Sequence, residues 1–409
     1  MFERALAGRV REALSDTPVV FLQGPRQAGK STLVRALVGG RGPSRYVTLD
    51  DANHLAAARS DPEGFLAGLG DSAVLDEVQL APGLFRALKA SVDRDRRPGR
   101  YLLTGSADAL LVPGIAEALV GRMEVLTLWP LSQAEVEGRA PGFLAGAFSA
   151  GPPRCAERRG RPDLLGRMLR GGFPEARGRA ATDRRAAWFE SYVSLMLQRD
   201  VRGLADVAGL AEMPRLLRML AARSPGLVNF AEISRGLAMP QTTLKRYMAL
   251  FEAAMIVRYL PAWAGDPGRR LVKAPRILIT DTGLACHLLG ADEERIRADP
   301  TLLGNLLQVF ATLEVMREAA ATPETPRLFH YRSSTGREVD LVAEDRRGRI
   351  VGIEVKAAAS VGPADFAGLR GLAEDAGGRF HRGIVLHRGR EVVPFGPGMF
   401  AVPVEALWG

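Results

Sequence analysis

Cysteine, histidine, lysine and long apolar runs are all scarce in this chain of 409 residues. Its two cysteines, Cys155 and Cys286, lie far apart and neither belongs to a C-x-x-C pair. No disulfide framework and no cysteine-based zinc site is therefore expected, which points to a reducing cytoplasm. Nowhere do apolar residues run together for the roughly eighteen positions that a membrane-crossing helix needs, so no membrane association is expected. At the N-terminus, Phe2, Leu6, Val10 and Leu14 recur every four positions among Arg4, Arg9 and Arg11. That spacing predicts an amphipathic helix, not the apolar segment of a signal peptide. Only five residues are lysine against fifty arginines, and the net charge is +9. In a chain also rich in Ala and Gly, that skew is compositional bias as much as a surface selected for acidic partners, so nucleic acid stays open on charge alone.

What is present is ordinary for a folded protein: 47% hydrophobic and 25% charged residues exclude a largely disordered chain. The length suits two or three domains. From Pro18 to about Arg139, short apolar runs (Val19 to Leu22, Tyr46 to Leu49, Ala73 to Leu75, Tyr101 to Leu103) alternate with helical stretches, which predicts a parallel sheet covered on both faces. A Gly-, Pro- and Arg-rich stretch, Ala140 to Pro162, reads as a linker. Asp163 to about Ala262 is helical in pattern, and mixed character returns after Asp266-Pro267-Gly268. Strands are expected at 276–279, 338–342, 350–355 and 383–386, with a helix from Leu303 to about Ala320, making a second α/β unit.

Gly24-Pro25-Arg26-Gln27-Ala28-Gly29-Lys30-Ser31 fits G-x-x-x-x-G-K-[ST], directly follows an apolar strand and opens a helix at Thr32. Glycines let backbone N–H groups curl around a polyphosphate, and the start of a helix adds partial positive charge. Lys30 is expected to neutralise the β- and γ-phosphates of ATP, and Ser31 to ligate Mg²⁺. Asp76 and Glu77 end another apolar strand. Asp76 is expected to hold Mg²⁺ and Glu77 to polarise the attacking water. Ser106 is the first choice for a hydroxyl sensing the γ-phosphate and Thr104 the second. Arg122 is expected either to stabilise transition-state charge, within the subunit or across the interface of a homo-oligomer, or to form a structural ion pair.

These motifs, with Asp76-Glu77-Val78-Gln79, Leu119 to Arg122, Trp129-Pro130-Leu131-Ser132, Gly171 to Glu175, Arg199-Asp200-Val201 and Asp281 to Leu284, resemble the bacterial and archaeal P-loop ATPases that join an AAA-type core to a C-terminal domain of unknown function. The resemblance covers nearly the whole chain. It implies an ATP-binding AAA-type core and no settled physiological role.

A helix at Met213 to Leu220, a short second helix at Phe230 to Leu237, a turn, and a polar third helix begun by Pro240 form a helix-turn-helix pattern, with Ile256 to Leu260 and Arg269 to Val272 as a possible wing. Read as a DNA contact, the third helix offers Gln241, Thr242 and Lys245 to bases and Arg246 to phosphate. Read otherwise, it is a rigid protein-contact module.

Glu338 and Asp340 are two apart on an expected strand and so share a face, opposite Val339 and Leu341. Glu354 and Lys356 repeat the arrangement on a neighbouring strand. Two carboxylates and a lysine there would suit Mg²⁺ or Mn²⁺ beside a scissile phosphate, a lysine being able to activate water where an arginine holds its proton too firmly. The spacing resembles the PD-(D/E)xK nuclease fold, to which the family's C-terminal domain is similar. Gln308 stands where family members commonly carry Glu, which removes a charge from that site; Glu314 and Glu318 lie further along the same helix. A solvated ion network is the alternative.

The expected fold is α/β throughout its two sheet domains. An AAA-type P-loop ATPase domain with a parallel sheet spans 1–139. A helical and winged-helix middle spans 163–265, and a nuclease-like α/β domain spans 269–409. The expected activity is Mg²⁺-dependent ATP hydrolysis driving domain rearrangement or assembly. The alternatives are a nucleotide-gated switch with little turnover and a DNA-processing ATPase–nuclease.

Overall fold

The computed structural model describes residues 2–39, 43–106, 119–155, 163–198, 212–266, 268, 270 and 273–409. Strands β1 (Val19–Gln23), β2 (Arg45–Thr48), β3 (Ala73–Asp76), β4 (Tyr101–Gly105) and β5 (Met123–Thr127) form a wholly parallel sheet in the order β2-β3-β4-β1-β5. The short apolar runs become strands because both faces are buried. Val19, Phe21, Leu75 and Leu103 pack on one side with Leu84, Phe85 and Leu88 of the Leu84–Arg94 helix. Val20, Leu22, Val74 and Leu102 pack on the other, against Val10 and Leu14 of α1 (Ala7–Asp16) and Leu33 and Val34 of α2 (Lys30–Ala36). Each such leucine contributes about 1.5–3 kcal/mol on burial. The N-terminal helix starts later than its apolar spacing predicted, so Phe2 lies ahead of it and is exposed. Because β4 lies between β1 and β3, the turn after β1 and the acidic pair after β3 sit about 10 Å apart, at the same edge of the sheet.

The stretch 140–162 is not simply a linker. Phe143–Phe148 is helical, with Phe143, Leu144 and Ala147 buried, and the Leu144 N–H donates to Glu318 Oε1 at 2.9 Å. Its apolar spacing is short and flanked by Gly and Pro, which hides it in the sequence. The helices Met213–Arg223, Phe230–Leu237 and Gln241–Ala253 follow in order, then β6 (Val257–Leu260), β7 (Ala262–Trp263) and β8 (Arg276–Ile279). β6 pairs antiparallel with β8. Residues 269, 271 and 272 lie outside the described residues. Ile277, Leu278 and Ile279 are drawn to β6 by a core shared with Leu216, Leu217 and Leu220. The pair therefore spans the expected boundary between 265 and 269.

β7 instead joins β9 (Arg327–Arg332), β10 (Glu338–Glu344), β11 (Ile350–Val355), β12 (Phe380–His387), β13 (Val393–Pro394) and β14 (Met399–Pro403). The mixed sheet has the order β13-β14-β12-β11-β10-β9-β7. Leu306, Leu307 and Phe310 of the Pro300–Ala321 helix cover one face, and Leu369 and Leu372 of the Ala367–Ala376 helix cover the other. A bulge between Val339 and Val342 breaks the expected alternation: Val339 and Val342 face the second helix, whereas Leu341 and Ala343 face the first.

Candidate functional site

The turn after β1 carries the glycine-rich loop. A Cβ on Gly24 would stand 2.2 Å from the Leu128 carbonyl oxygen, so only glycine fits. Gln27 (φ 65°) and Gly29 (φ 97°) adopt the left-handed conformation that reverses the chain. Lys30 is 5% exposed, and its Nζ donates to the Gly24 and Pro25 carbonyls at 2.8 and 3.0 Å. A cavity of about 650 Å³ opens over this loop, within the range of about 300–1,000 Å³ usual for ligand pockets. Arg26, Gln27, Gly29, Lys30, Ser31 and Thr32 line it, and Glu77 lines it from the end of β3. Gly24, Pro25 and Ala28 stand behind as backbone support.

Asp76 is 2% exposed. Its two carboxylate oxygens accept from the hydroxyls of Tyr46 and Thr104. Burial and the bond to Asp76 push the Tyr46 phenol up to about 12, against the pull of Arg35. Glu77 has φ 61°, and its N–H donates to Thr104 Oγ1 at 3.1 Å. Gln79 Nε2 donates both to Glu77 and to Ser106 Oγ, the latter at 3.2 Å. Ser106 thus reaches the acidic pair through Gln79, while Thr104 touches it directly.

Arg122 is elsewhere. It immediately precedes β5, which runs parallel to β1 with Met123 beside Val19. The glycine-rich loop follows the other end of β1, about five residues or 16 Å away. Arg122 there makes a bidentate pair with Asp93 at 2.7 and 2.9 Å. Strand polarity thus places Arg122 away from its own subunit's loop, and the contact it makes in this chain is the ion pair with Asp93.

Several residues contribute that had no expected role at this site. The buried Arg4 donates to the Ala28 carbonyl at 2.7 Å, to the Trp129 carbonyl at 2.6 Å and to Glu135 at 3.1 Å, bracing the loop from behind. Pro174 and Glu175 line the cavity from the segment after β5. That segment is fixed by the Leu131 N–H to the Gly172 carbonyl (2.8 Å) and the Gly172 N–H to Asp281 (2.6 Å). Asp281 caps the Thr282–Leu289 helix through the Leu284 N–H, and it also pairs with Arg317 at 3.4 Å. Arg199, Asp200 and Val201 lie outside the described residues.

Gln241, Thr242, Lys245 and Arg246 are all exposed on the Gln241–Ala253 helix. On the C-terminal sheet, Asp340 and Glu354 meet across β10 and β11, and Lys356 Nζ lies 3.1 Å from Glu354. Burial and Asp340 push the Glu354 carboxyl up to about 7, although Lys356 opposes the shift. Gln308 donates to Asp340, so the departure from Glu falls directly on this cluster. Glu314 and Glu318 point away from it and accept from the Gln133 and Leu144 N–H groups at 2.7 and 2.9 Å. Among the described residues, no group of three or more His, Cys, Asp or Glu side chains is placed to hold a metal.

A glycine-rich loop and an acidic pair, on parallel strands with one strand between them, define a P-loop nucleotide site. Residues 16–137 match the AAA domain family. Residues 161–295 match a domain of unknown function (DUF8612), and 303–407 match another (DUF4143). Over 405 residues the chain is 33% identical to uncharacterised proteins of Mycobacterium tuberculosis and Mycobacterium bovis, covering 99% of this chain and 84% of each relative. The chain belongs to the family of these proteins, and in it an AAA domain precedes a C-terminal domain of unknown function. A solved signal transduction ATPase with numerous domains and a tetratricopeptide repeat sensor, from Pyrococcus horikoshii, is 11% identical over 77% of this chain and 46% of its own, with a TM-score of 0.20. The chain spans under half of that protein, and so slight a likeness carries no argument. No helix among the described residues is long and apolar enough to cross a membrane.

Proposed function

We propose that the protein hydrolyses ATP at this site and that the cycle moves the segments packed around the cavity. The observation that carries the reading is that Lys30 and Glu77 line one cavity from two parallel strands. Lys30 and the loop N–H groups bind the β- and γ-phosphates. Ser31 and Asp76 would hold Mg²⁺, which supplies charge neutralisation to the phosphates when bound. Tyr46 and Thr104 fix the Asp76 carboxylate. Glu77 orients the attacking water and draws its proton, and Gln79 ties that carboxylate to Ser106, so a hydroxyl beside the γ-phosphate is coupled to the base. Arg122 contributes only if a second copy presents it across an interface. Pro174 and Glu175 give the nucleotide a route to the rest of the chain.

Steady-state ATPase assays on wild type and Glu77→Gln test the reading. Turnover abolished by the substitution, with ATP affinity kept, supports it. Equal rates from both proteins overturn it. Tight nucleotide binding by a wild type that does not turn over leaves a nucleotide-gated switch in its place. A second reading, DNA contact, rests on the shared exposure of Gln241, Thr242, Lys245 and Arg246. It requires DNA affinity that falls steeply with salt and weakens in Lys245→Ala.

A further inference from the structure

The carboxylates that a phosphodiester-cleaving metal would use sit on β10 and β11, yet the group facing them arrives from another sheet. Arg276 opens β8, and its side chain is buried. One terminal nitrogen donates to Asp340 Oδ1 at 3.0 Å and the other to Glu338 Oε2 at 2.6 Å. Gln308 Nε2 donates to the same Asp340 oxygen, and the Val355 N–H donates to Oδ2 at 2.9 Å. Glu354 accepts from the Asp340 N–H at 3.3 Å and from Lys356 Nζ at 3.1 Å. Arg332 pairs with the second Glu338 oxygen at 3.2 Å. Arg276, Arg332 and Lys356 therefore face Glu338, Asp340 and Glu354, with Asp365 3.9 Å from Lys356, so each of the three strand carboxylates already meets a cation or hydrogen-bond donor of the chain itself.

Mg²⁺ or Mn²⁺ needs about six oxygen ligands with lone pairs to give. Three of the roughly four lone-pair directions of Asp340 already accept hydrogen bonds. A metal entering at Asp340 would displace one arm of a buried guanidinium and set a second cation against the one that Glu338 still holds, which is unfavourable. The residues present do not fit the metal that a nuclease-like fold implies.

We propose that Arg276 is the resident cation of this cluster. It takes the metal's place, so the C-terminal sheet binds no divalent ion there, and the cluster instead fastens β8 to β10. Its work is mechanical: it joins the β6–β8 pair to the seven-stranded sheet.

The test is Mn²⁺ titration of the full-length chain without nucleotide, read by loss of the free-ion paramagnetic resonance signal. Asp76→Asn serves as background to remove any contribution from the P-loop. The Asp76→Asn protein is expected to take up no Mn²⁺ to millimolar concentration; one ion per chain, lost on adding Asp340→Asn, overturns the proposal. In the same background, Arg276→Gln with Gln308→Glu is expected to gain one Mn²⁺ per chain, and a folded protein that gains none overturns it. Should that variant fail to fold, Gln308→Glu alone decides. No uptake supports Arg276 as the excluding group, and a gained site shows that Gln308 excluded the metal instead.

Discussion

Two clusters in this chain hold the same three functional groups, an aspartate, a glutamate and a lysine, and differ in what opposes them. At the P-loop, Asp76 is held by neutral hydroxyls, and Glu77 and Lys30 border a cavity. On the C-terminal sheet, Asp340 and Glu354 meet cations from their own chain. The first arrangement leaves charge for a ligand to answer. The second answers it internally. Residue types and spacing alone do not separate the two; the side chains that arrive from distant strands do.

The comparison can be broken most directly at Glu77. Glu77→Gln should lower ATP turnover by about 10²–10⁴-fold, the range for loss of a general base, with binding retained in calorimetry. A rate within twofold of wild type would make the two clusters alike in silence. Arg276→Ala should destabilise the fold by about 3–5 kcal/mol in denaturant titration, because it strands Asp340 in a buried site. A loss under about 1 kcal/mol would remove the contrast from the other side. Lys30→Ala should weaken ATP binding by on the order of 10²-fold, the loss of two charge-assisted hydrogen bonds, and should cost the nucleotide-free chain about 1–3 kcal/mol because the Gly24 and Pro25 carbonyls lose their donor.

Smaller effects sharpen the picture. Burial pushes the Glu318 carboxyl up to about 7, the Leu144 N–H only partly opposing it. A carboxyl raised in the folded state contributes stability that is present below its unfolded value near 4.5 and is lost as pH rises through about 7. Stability should therefore decline between those limits, and Glu318→Gln should flatten the decline in pH-resolved denaturant curves. Arg122→Ala should leave ATP affinity unchanged at concentrations where the chain is monomeric. A loss there would mean that Arg122 reaches the site despite lying at the opposite edge of the sheet.

The P-loop was legible because its chemistry is contiguous: eight successive residues between an apolar run and a helix specify a loop and the residues that line it. The parallel sheet was legible for a similar reason, as alternating short runs need burial on both faces. The catalytic and ion-pair readings of Arg122 could not be separated in the sequence because a motif has no direction until strand polarity is known; a residue just before a parallel strand sits at the opposite edge from one just after it. Tyr46, Arg4 and Gln79 act through contacts that depend on strand order, and of these only Gln79 was flagged, as a mark of the family. Arg276 resembled an ordinary strand residue among fifty arginines, since nothing local tells which sheet its side chain enters. The bulge in β10 shifted Leu341 to the face opposite Val339, a change that strict period-two reasoning does not anticipate.

Pro174 and Glu175 form part of the wall around the P-loop cavity although they lie beyond residue 137, where the AAA match ends. A polypeptide truncated at that point would retain the glycine-rich loop, the acidic pair and Ser106 and yet present an incomplete chamber. Enzymology on such a shortened piece would describe a vessel with one side cut away, and the missing side is the one through which the remaining two-thirds of the molecule would sense the nucleotide.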